Sequence, residues 1–398
     1  MSVTEYGIEA SYEDVVAEGR AVIEAIPAEK REPCASTLSP YLIGVFKQSG
    51  LSSYMVPARF GGRSESVDPL AVCLVRETLM ASSSQLDAMF SLQGIGTYAL
   101  TLAGHPRVQR AWLPRIARGD ALAAMALTEP HAGSDLKSVT TTIRADGDDV
   151  VIDGHKSCIS HANDADVITV FGREGDGFSL VAVPAGTAGM TIVPGPALIA
   201  PHEVADVVFE HVRLPADYRV GVPGEAFALV LATLTVFRAS VAGSAVGLAQ
   251  AALDEAVRHC GERRQFGRPL YRLGPVAALL ADSGAEVEMA RLLAYRAATR
   301  ARDGAPDSLD YSSMAKLATT EIACRVVDRC VQAMGRFGLE AGTRMGQIYL
   351  VARPLRIYEG ASEVLRLGVA RYLHTTTAAT RQQVSAHAAE LGGRSLLS

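Results

Sequence analysis

The sequence predicts an α+β multidomain chain: an N-terminal helical domain, a small central β-barrel or sandwich, and a C-terminal four-helix bundle. Three observations carry that prediction. Helical spacing of apolar residues fills 1–120. Short alternating segments cut by Gly and Pro occupy 121–221. Long amphipathic runs return over 222–375, and the polar, Ala-rich residues 376–398 are expected to form a loosely ordered tail.

Each element has a local reason. "SYEDVVAEGRAVIEAI" repeats apolar residues every three or four positions behind Ser11, a candidate N-cap. Pro40, Pro69 and Pro106 each open a helical pattern, the one place in a helix where proline is tolerated. "MVPARFGGRSES" reads as the loop between two of these helices. "TTTIRADGDDVVIDGHKSCIS" alternates about an Asp-Gly pair and predicts a hairpin. "DVITVFG", "FSLVAVP", "MTIVP" and "ADVVFEHVRLP" follow as short strands. Leu229 to His259 is apolar almost all round, as suits the middle of a bundle, and the longest apolar stretches, "EAFALVLATLTVF" among them, stop short of a membrane span. Pro275 to Arg302, Leu309 to Met334 and a run after Gly360 complete four helices.

Composition narrows the function classes. Of the 398 residues 48% are hydrophobic and 20% charged, an ordinary globular balance. A formal charge of -5 and the lack of a Lys/Arg stripe argue against nucleic acid as the main partner, and the arginines of 291–302 read as a solvated helix face. The opening residues have neither a basic nor an apolar leader region, so a cytoplasmic protein with no membrane association is expected. Six cysteines without a CxxC pair read as free thiols, and nine histidines without ligand spacing predict no metal site.

Two stretches could carry chemistry. In "ALTEPHAGSDLKS", Ala126 to Ser138, Ala132 and Gly133 let backbone approach a ligand while Thr128 and Ser134 offer hydroxyls. A plain turn-rich loop would look the same. In "RIYEGASEVLR", Arg356 to Arg366, a carboxylate stands at a break between helical patterns. Alone, Glu359 is equally at home as an acid near a helix start.

Together the motifs resemble a known family. "ALTEPHAGSDLKS" is similar to the first signature of the acyl-CoA dehydrogenases. "ERRQFGRPL", Glu262 to Leu270, resembles their RxQFGxPL segment, and "IYEGASEVLR" their YEGTSEIQR. The order and spacing agree over residues 10 to 373, as does the α, β, α layout.

The resemblance implies FAD held between the β domain and the bundle. It implies Thr128 at the flavin pyrimidine edge, Ser134 beside the pyrophosphate and the substrate, and Ser160 near flavin N5. Arg263, Phe266 and Gln332 would reach the pyrophosphate and adenosine of FAD in a neighbouring subunit of a homotetramer. Glu359 would abstract the α-proton of an acyl thioester while the β-hydrogen leaves as hydride, with Arg238, Tyr358 and Gly360 around the substrate. Such a base needs an apolar pocket that raises its pKa. An electron-transfer flavoprotein or another acceptor would reoxidise the flavin.

The pattern departs from the family at several positions. Thr235 replaces the acid of LDxxR, Arg336 a glycine of QxxGGxG, and Ala361 the threonine of YEGTS. "LVAR" stands for RDAR, and Cys158 stands where many members have an aromatic. The departures leave the carrier open between CoA and an acyl-carrier protein. A flavin oxidase on the same fold and a non-catalytic flavin-binding scaffold are the other readings.

Overall fold

The computed structural model describes residues 2–31 and 37–392, with side chains described up to residue 377. The first layer holds α1 (Tyr12–Glu24), α2 (Pro40–Gln48), α3 (Pro69–Met80), α4 (Ser84–Ala103) and α5 (Pro106–Ala117). Pro40, Pro69 and Pro106 each stand at the first helical position. Asp68 caps α3 by accepting from Leu70 N and Ala71 N at 2.9 and 3.3 Å. Ser11 does not behave as expected. It has helical dihedrals and its side chain makes no capping bond. Glu13 turns instead to the preceding turn, accepting from Val3 N at 2.7 Å.

The β domain comprises β1 (Ala123–Ala126), β2 (Thr142–Asp146), β3 (Asp149–Ser160), β4 (Val167–Glu174), β5 (Gly177–Pro184), β6 (Met190–Pro194), β7 (Val204–Pro215) and β8 (Arg219–Val220). The order is β6-β7-β3-β2-β4-β5-β8, with β1 added parallel to β4. The Asp-Gly hairpin forms with Asp146 opposite Asp149 and Gly147 at φ 63°. One strand escapes the alternation rule: β1 is four small or apolar residues buried on both faces, with α4 laid against it. Gly96 permits that contact, since a Cβ there would lie 2.8 Å from Ala123 Cβ.

The irregularity that matters most is in β3. Its register against β7 shifts between Lys156 and Ile159, and Cys158 within the shift has φ 56°. A bulge of this kind re-aims side chains. It brings Cys158, Ile159 and Ser160 all to the wall of one cavity.

The C-terminal layer holds α6 (Ala226–Glu262), a short hairpin of β9 (Arg264–Gln265) and β10 (Arg268–Pro269), α7 (Gly274–Arg302), α8 (Ser308–Met334), α9 (Arg344–Ala352) and α10 (Ser362–Gly392). The four long helices predicted are α6, α7, α8 and α10; the short α9 was hidden in an apolar stretch between two motifs. Helix α10 continues past residue 376, so the backbone of the expected tail is helical as far as Gly392. By length and composition α6 could cross a membrane, longer than the sequence reading allowed, but 56% of its most apolar window is buried inside the protein.

Small residues let α6 lie very close to α3. A Cβ at Gly243 would meet Cys73 O at 2.5 Å, and one at Gly247 would meet Glu77 O at 2.0 Å. The arginine run of 291–302 is not a purely solvated face either. Arg291 is 1% exposed and donates to Glu77 at 3.0 Å. Cys73, Cys158, Cys260, Cys324 and Cys330 are free thiols, and Cys34 lies outside the described residues.

Candidate active site

Glu359 sits in the turn between α9 and α10. Its φ is 53° and that of Gly360 is 110°, two successive residues in conformations that L side chains rarely adopt. Strain of this sort persists only where surroundings over-determine it, and here two cations do so. Arg238 Nε of α6 donates to Glu359 O at 2.8 Å, and Lys316 Nζ of α8 donates to Gly360 O at 2.7 Å. A side chain at residue 360 would come within 3.0 Å of Arg238 Nη2, so glycine is required.

The turn delivers the carboxylate into a cavity of about 140 Å³ at the junction of the three layers. Leu92 and Ile95 of α4, Thr128 after β1, Ser160 of β3, and Leu234 and Phe237 of α6 line it with Glu359. The Glu359 side chain is 15% exposed, and its Oε2 is buried with no hydrogen-bond partner. Burial pushes its carboxyl above the usual range, opposed by Arg76, Lys316 and Arg238. The cations respond to the same dry surroundings. Burial pushes Lys316 down to about 8 and lowers Arg238. A desolvated carboxylate with an open lone pair, at the edge of an apolar cavity, has the chemistry a general base requires.

The loop "LTEPHAGS" is fixed by a buried ion pair that the sequence reading did not single out. Lys156 Nζ, fully buried on β3, donates to Leu127 O and Glu129 Oε1, both at 2.9 Å. Glu129 also accepts from Thr140 N and Thr141 N at 2.7 and 2.9 Å. Burial works to raise that carboxyl, but the hydrogen bonds from Thr141, Thr140 and Lys156 hold it down to about 2. Ser157 N donates to Thr128 O at 2.9 Å and completes the clamp. Both charged residues lie inside quoted motifs; only a buried lysine's need for a partner could have signalled them.

Ser160 meets a second unforeseen partner. Its Oγ lies 2.8 Å from His202 Nε2, and burial pushes His202 down to about 4, so the ring is neutral at physiological pH.

Thus Glu359, Thr128 and Ser160 come together with Cys158 around one cavity, and Arg238 and Gly360 adjoin it. Tyr358 flanks it at 36% exposure, and Ser134 stands exposed on its loop. Arg263, Phe266 and Gln332 do not line the cavity and are exposed. Phe266, 86% exposed, tips the β9–β10 hairpin, and Arg263 stacks over Phe337 at 5.6 Å. Thr235 is tied to its own helix, donating to Leu231 O at 2.9 Å, so no acid meets Arg238 there.

A larger cavity, about 540 Å³, opens between α1, α3, α6 and α7. Its buried charged groups are mutually satisfied, Glu77 accepting from Arg291 and from Tyr295 at 3.0 and 2.8 Å, so it offers no comparable chemistry. Among the described residues no group of three or more His, Cys, Asp or Glu could hold a metal ion.

Comparison with known proteins agrees with the three-layer architecture. The acyl-CoA dehydrogenase N-terminal, middle and C-terminal domain families match residues 17–120, 124–212 and 224–374. A probable acyl-CoA dehydrogenase of Mycobacterium leprae is 31% identical over 367 residues, 89% of this chain and 94% of that protein. The human mitochondrial short-chain specific acyl-CoA dehydrogenase is 33% identical over 332 residues, 81% of this chain and 80% of its own. Butyryl-CoA dehydrogenase from Megasphaera elsdenii superposes with a TM-score of 0.87 at 26% identity, over 92% of this chain and 98% of that one.

Proposed function

This chain belongs to the acyl-CoA dehydrogenase family of FAD-dependent oxidoreductases acting on CH–CH bonds, and we propose that it desaturates an acyl thioester between Cα and Cβ, with Glu359 as the base. The observation that carries the reading is the Glu359 carboxylate. Its Oε2 is buried without a partner at the edge of an apolar cavity.

The residues present fit FAD. Thr128 and Ser160 bring hydroxyls to the cavity wall at the end of the sheet, where the flavin edge would be held. Ser134 would meet the pyrophosphate. Exposed Arg263, Phe266 and Gln332 offer a cation, a ring and an amide to a diphosphate and an adenosine. When bound, FAD supplies the acceptor for the substrate's β-hydrogen.

The chain's own part is acid–base chemistry and positioning. Glu359 Oε2 takes the α-proton, and the apolar wall of Leu92, Ile95 and Phe237 excludes competing water. Arg238 and Lys316 fix the turn that carries the base and place two positive charges where the substrate gains negative charge. Ser134, Tyr358 and the backbone N–H of Gly360 would border the thioester.

Anaerobic mixing of the yellow protein with a panel of acyl-CoA esters tests the proposal. At least one ester is expected to bleach the flavin on the timescale of a stopped-flow experiment. Failure of every thioester, on CoA or on a carrier protein, would refute it. A second reading, in which the acyl group rides on a carrier protein, is favoured by one observation: Arg238 has no acid at Thr235 and binds the base's own backbone instead. In that case kcat/KM is highest on the carrier and falls with ionic strength, because exposed charge pairs are screened.

Assembly is part of the proposal. Phe266, Met289, Leu292 and Leu339 are all more than half exposed on the C-terminal layer, and Arg263 lies outside its own chain's cavity. A homotetramer in which copies share FAD would cover them. Sedimentation of the FAD-saturated protein should give a tetramer; a monomer with full flavin occupancy would exclude shared binding.

A further inference from the structure

Arg76 is, with Arg291, among the largest fully buried side chains of the described residues, and no sequence motif includes it. It lies on α3 between Cys73 and Glu77, the two residues whose carbonyls α6 approaches through Gly243 and Gly247. That close crossing has a consequence for the base. Arg76 Nε and Nη2 make a two-point contact with Asp87 of α4 at 2.9 and 2.8 Å, and Nη1 donates to Ser240 of α6 at 3.0 Å. Ser244, one turn further on, donates to Asp87 Oδ1 at 2.7 Å. All four side chains are 2% exposed or less.

The same Nη1 lies 4.0 Å from Glu359 Oε1. That is near enough for strong attraction and too far for a hydrogen bond. We propose that Arg76 is a positioning residue for the base, a counter-ion that Asp87 holds back from contact with Glu359.

The arrangement resolves a conflict of requirements. A base in a dry pocket needs positive charge nearby to ionise at all. A cation in direct two-point contact would bind the lone pairs and suppress proton uptake. By engaging the fork of Arg76 itself, Asp87 leaves the charge and removes the contact. The charged groups facing Glu359 are Arg76 on α3, Asp87 on α4, Arg238 on α6 and Lys316 on α8, with Tyr358 beside it in the turn. Arg238 and Lys316 are fastened to backbone carbonyls of the turn. Arg76 is therefore the cation whose distance from the base can be altered without disturbing the turn. The inference rests on reading Glu359 as the base.

Two variants move the base in opposite directions. Asp87→Asn weakens the hold on Arg76 and lets the guanidinium close on Glu359, lowering the carboxyl's titration midpoint. The pair variant Arg76→Gln with Asp87→Asn shortens one side chain but leaves two amides able to hydrogen-bond each other, leaves no unpaired buried charge, and removes the counter-ion, so the midpoint rises. Each shift is expected to be about one pH unit, a tenfold change in the ionised fraction at fixed pH.

Infrared titration of the full-length FAD-loaded protein reads the midpoint directly, with the Glu359 band assigned by its loss in Glu359→Gln. The rising limb of the pH–rate profile for flavin reduction should move with it. Shifts in one common direction, or none, would overturn the proposal; a merely structural ion pair predicts lower stability and no opposed shifts. The pair variant carries the test by itself should Asp87→Asn fold poorly. If Glu359→Gln reduced its flavin normally, the base assignment would fall, while unmoved midpoints beside an inactive Glu359→Gln would sink only the counter-ion role.

Discussion

Glu359→Gln should keep the fold and the flavin and lose flavin reduction by an acyl thioester by about 10⁴-fold, the upper end of what general bases contribute. The amide preserves size but has no lone pair basic enough to take a carbon-bound proton. Rapid mixing without oxygen isolates that step from reoxidation. Near wild-type bleaching would place the base elsewhere. The variant should also be more stable than the wild type at neutral pH. Burial raises the folded-state pKa of Glu359 above that of the unfolded chain. The wild type therefore loses stability as pH rises from the ordinary glutamate range through that raised value, because the unfolded state releases the proton more readily. The substituted amide has no such proton to release, so the two melting curves should converge in acid and separate as pH rises. A base that destabilises its own protein is the expected cost of keeping a carboxylate dry.

How much of this could be read beforehand depends on the range of each interaction. Local rules found Pro40, Pro69 and Pro106 at helix starts and the Asp146–Gly147 hairpin, because each depends on the conformational limits of one or two residues. Glu359 was legible only through its motif. The contact that holds its turn in place comes from Arg238, 121 residues earlier in the chain. Strand β1 was missed because four small or apolar residues buried on both faces carry no alternation. Arg76 and Asp87 lie 11 residues apart on adjoining helices, a spacing without meaning until α3 and α4 fold back on each other. Arg291 was read as solvated because a helix-face pattern cannot tell that Glu77, 214 residues away, will cover it. Ser11 failed in the reverse direction: the cap residue was present, but its side chain caps nothing, and Glu13 reaches back to Val3 N instead.

Lys156→Met should be the most damaging single change outside the base. The lysine is completely buried, and burial pushes it down to about 8 even with Glu129 beside it. Removing it leaves the Glu129 carboxylate without its counter-charge and Leu127 O without its donor. Losing one member of a buried pair typically costs about 3–5 kcal/mol. Thr140 and Thr141 still donate to Glu129, so a loss of about 3 kcal/mol is expected in chemical denaturation. The loss should extend to the cofactor. Leu127 and Thr128 both line the cavity, and Lys156 fixes their backbone from beneath. Titration of apoprotein with FAD should therefore show affinity reduced by roughly tenfold or more, as a net hydrogen bond of about 1.4 kcal/mol at the loop would imply. Adding Glu129→Gln to Lys156→Met removes the unpaired charge, so most of the stability should return. FAD affinity should recover only partly, because Leu127 O still lacks its donor. Stability and affinity that recovered in strict proportion would mean the pair acts only on folding. The two observables are expected to part company, since one depends on charge balance in the core and the other on where a single carbonyl is held.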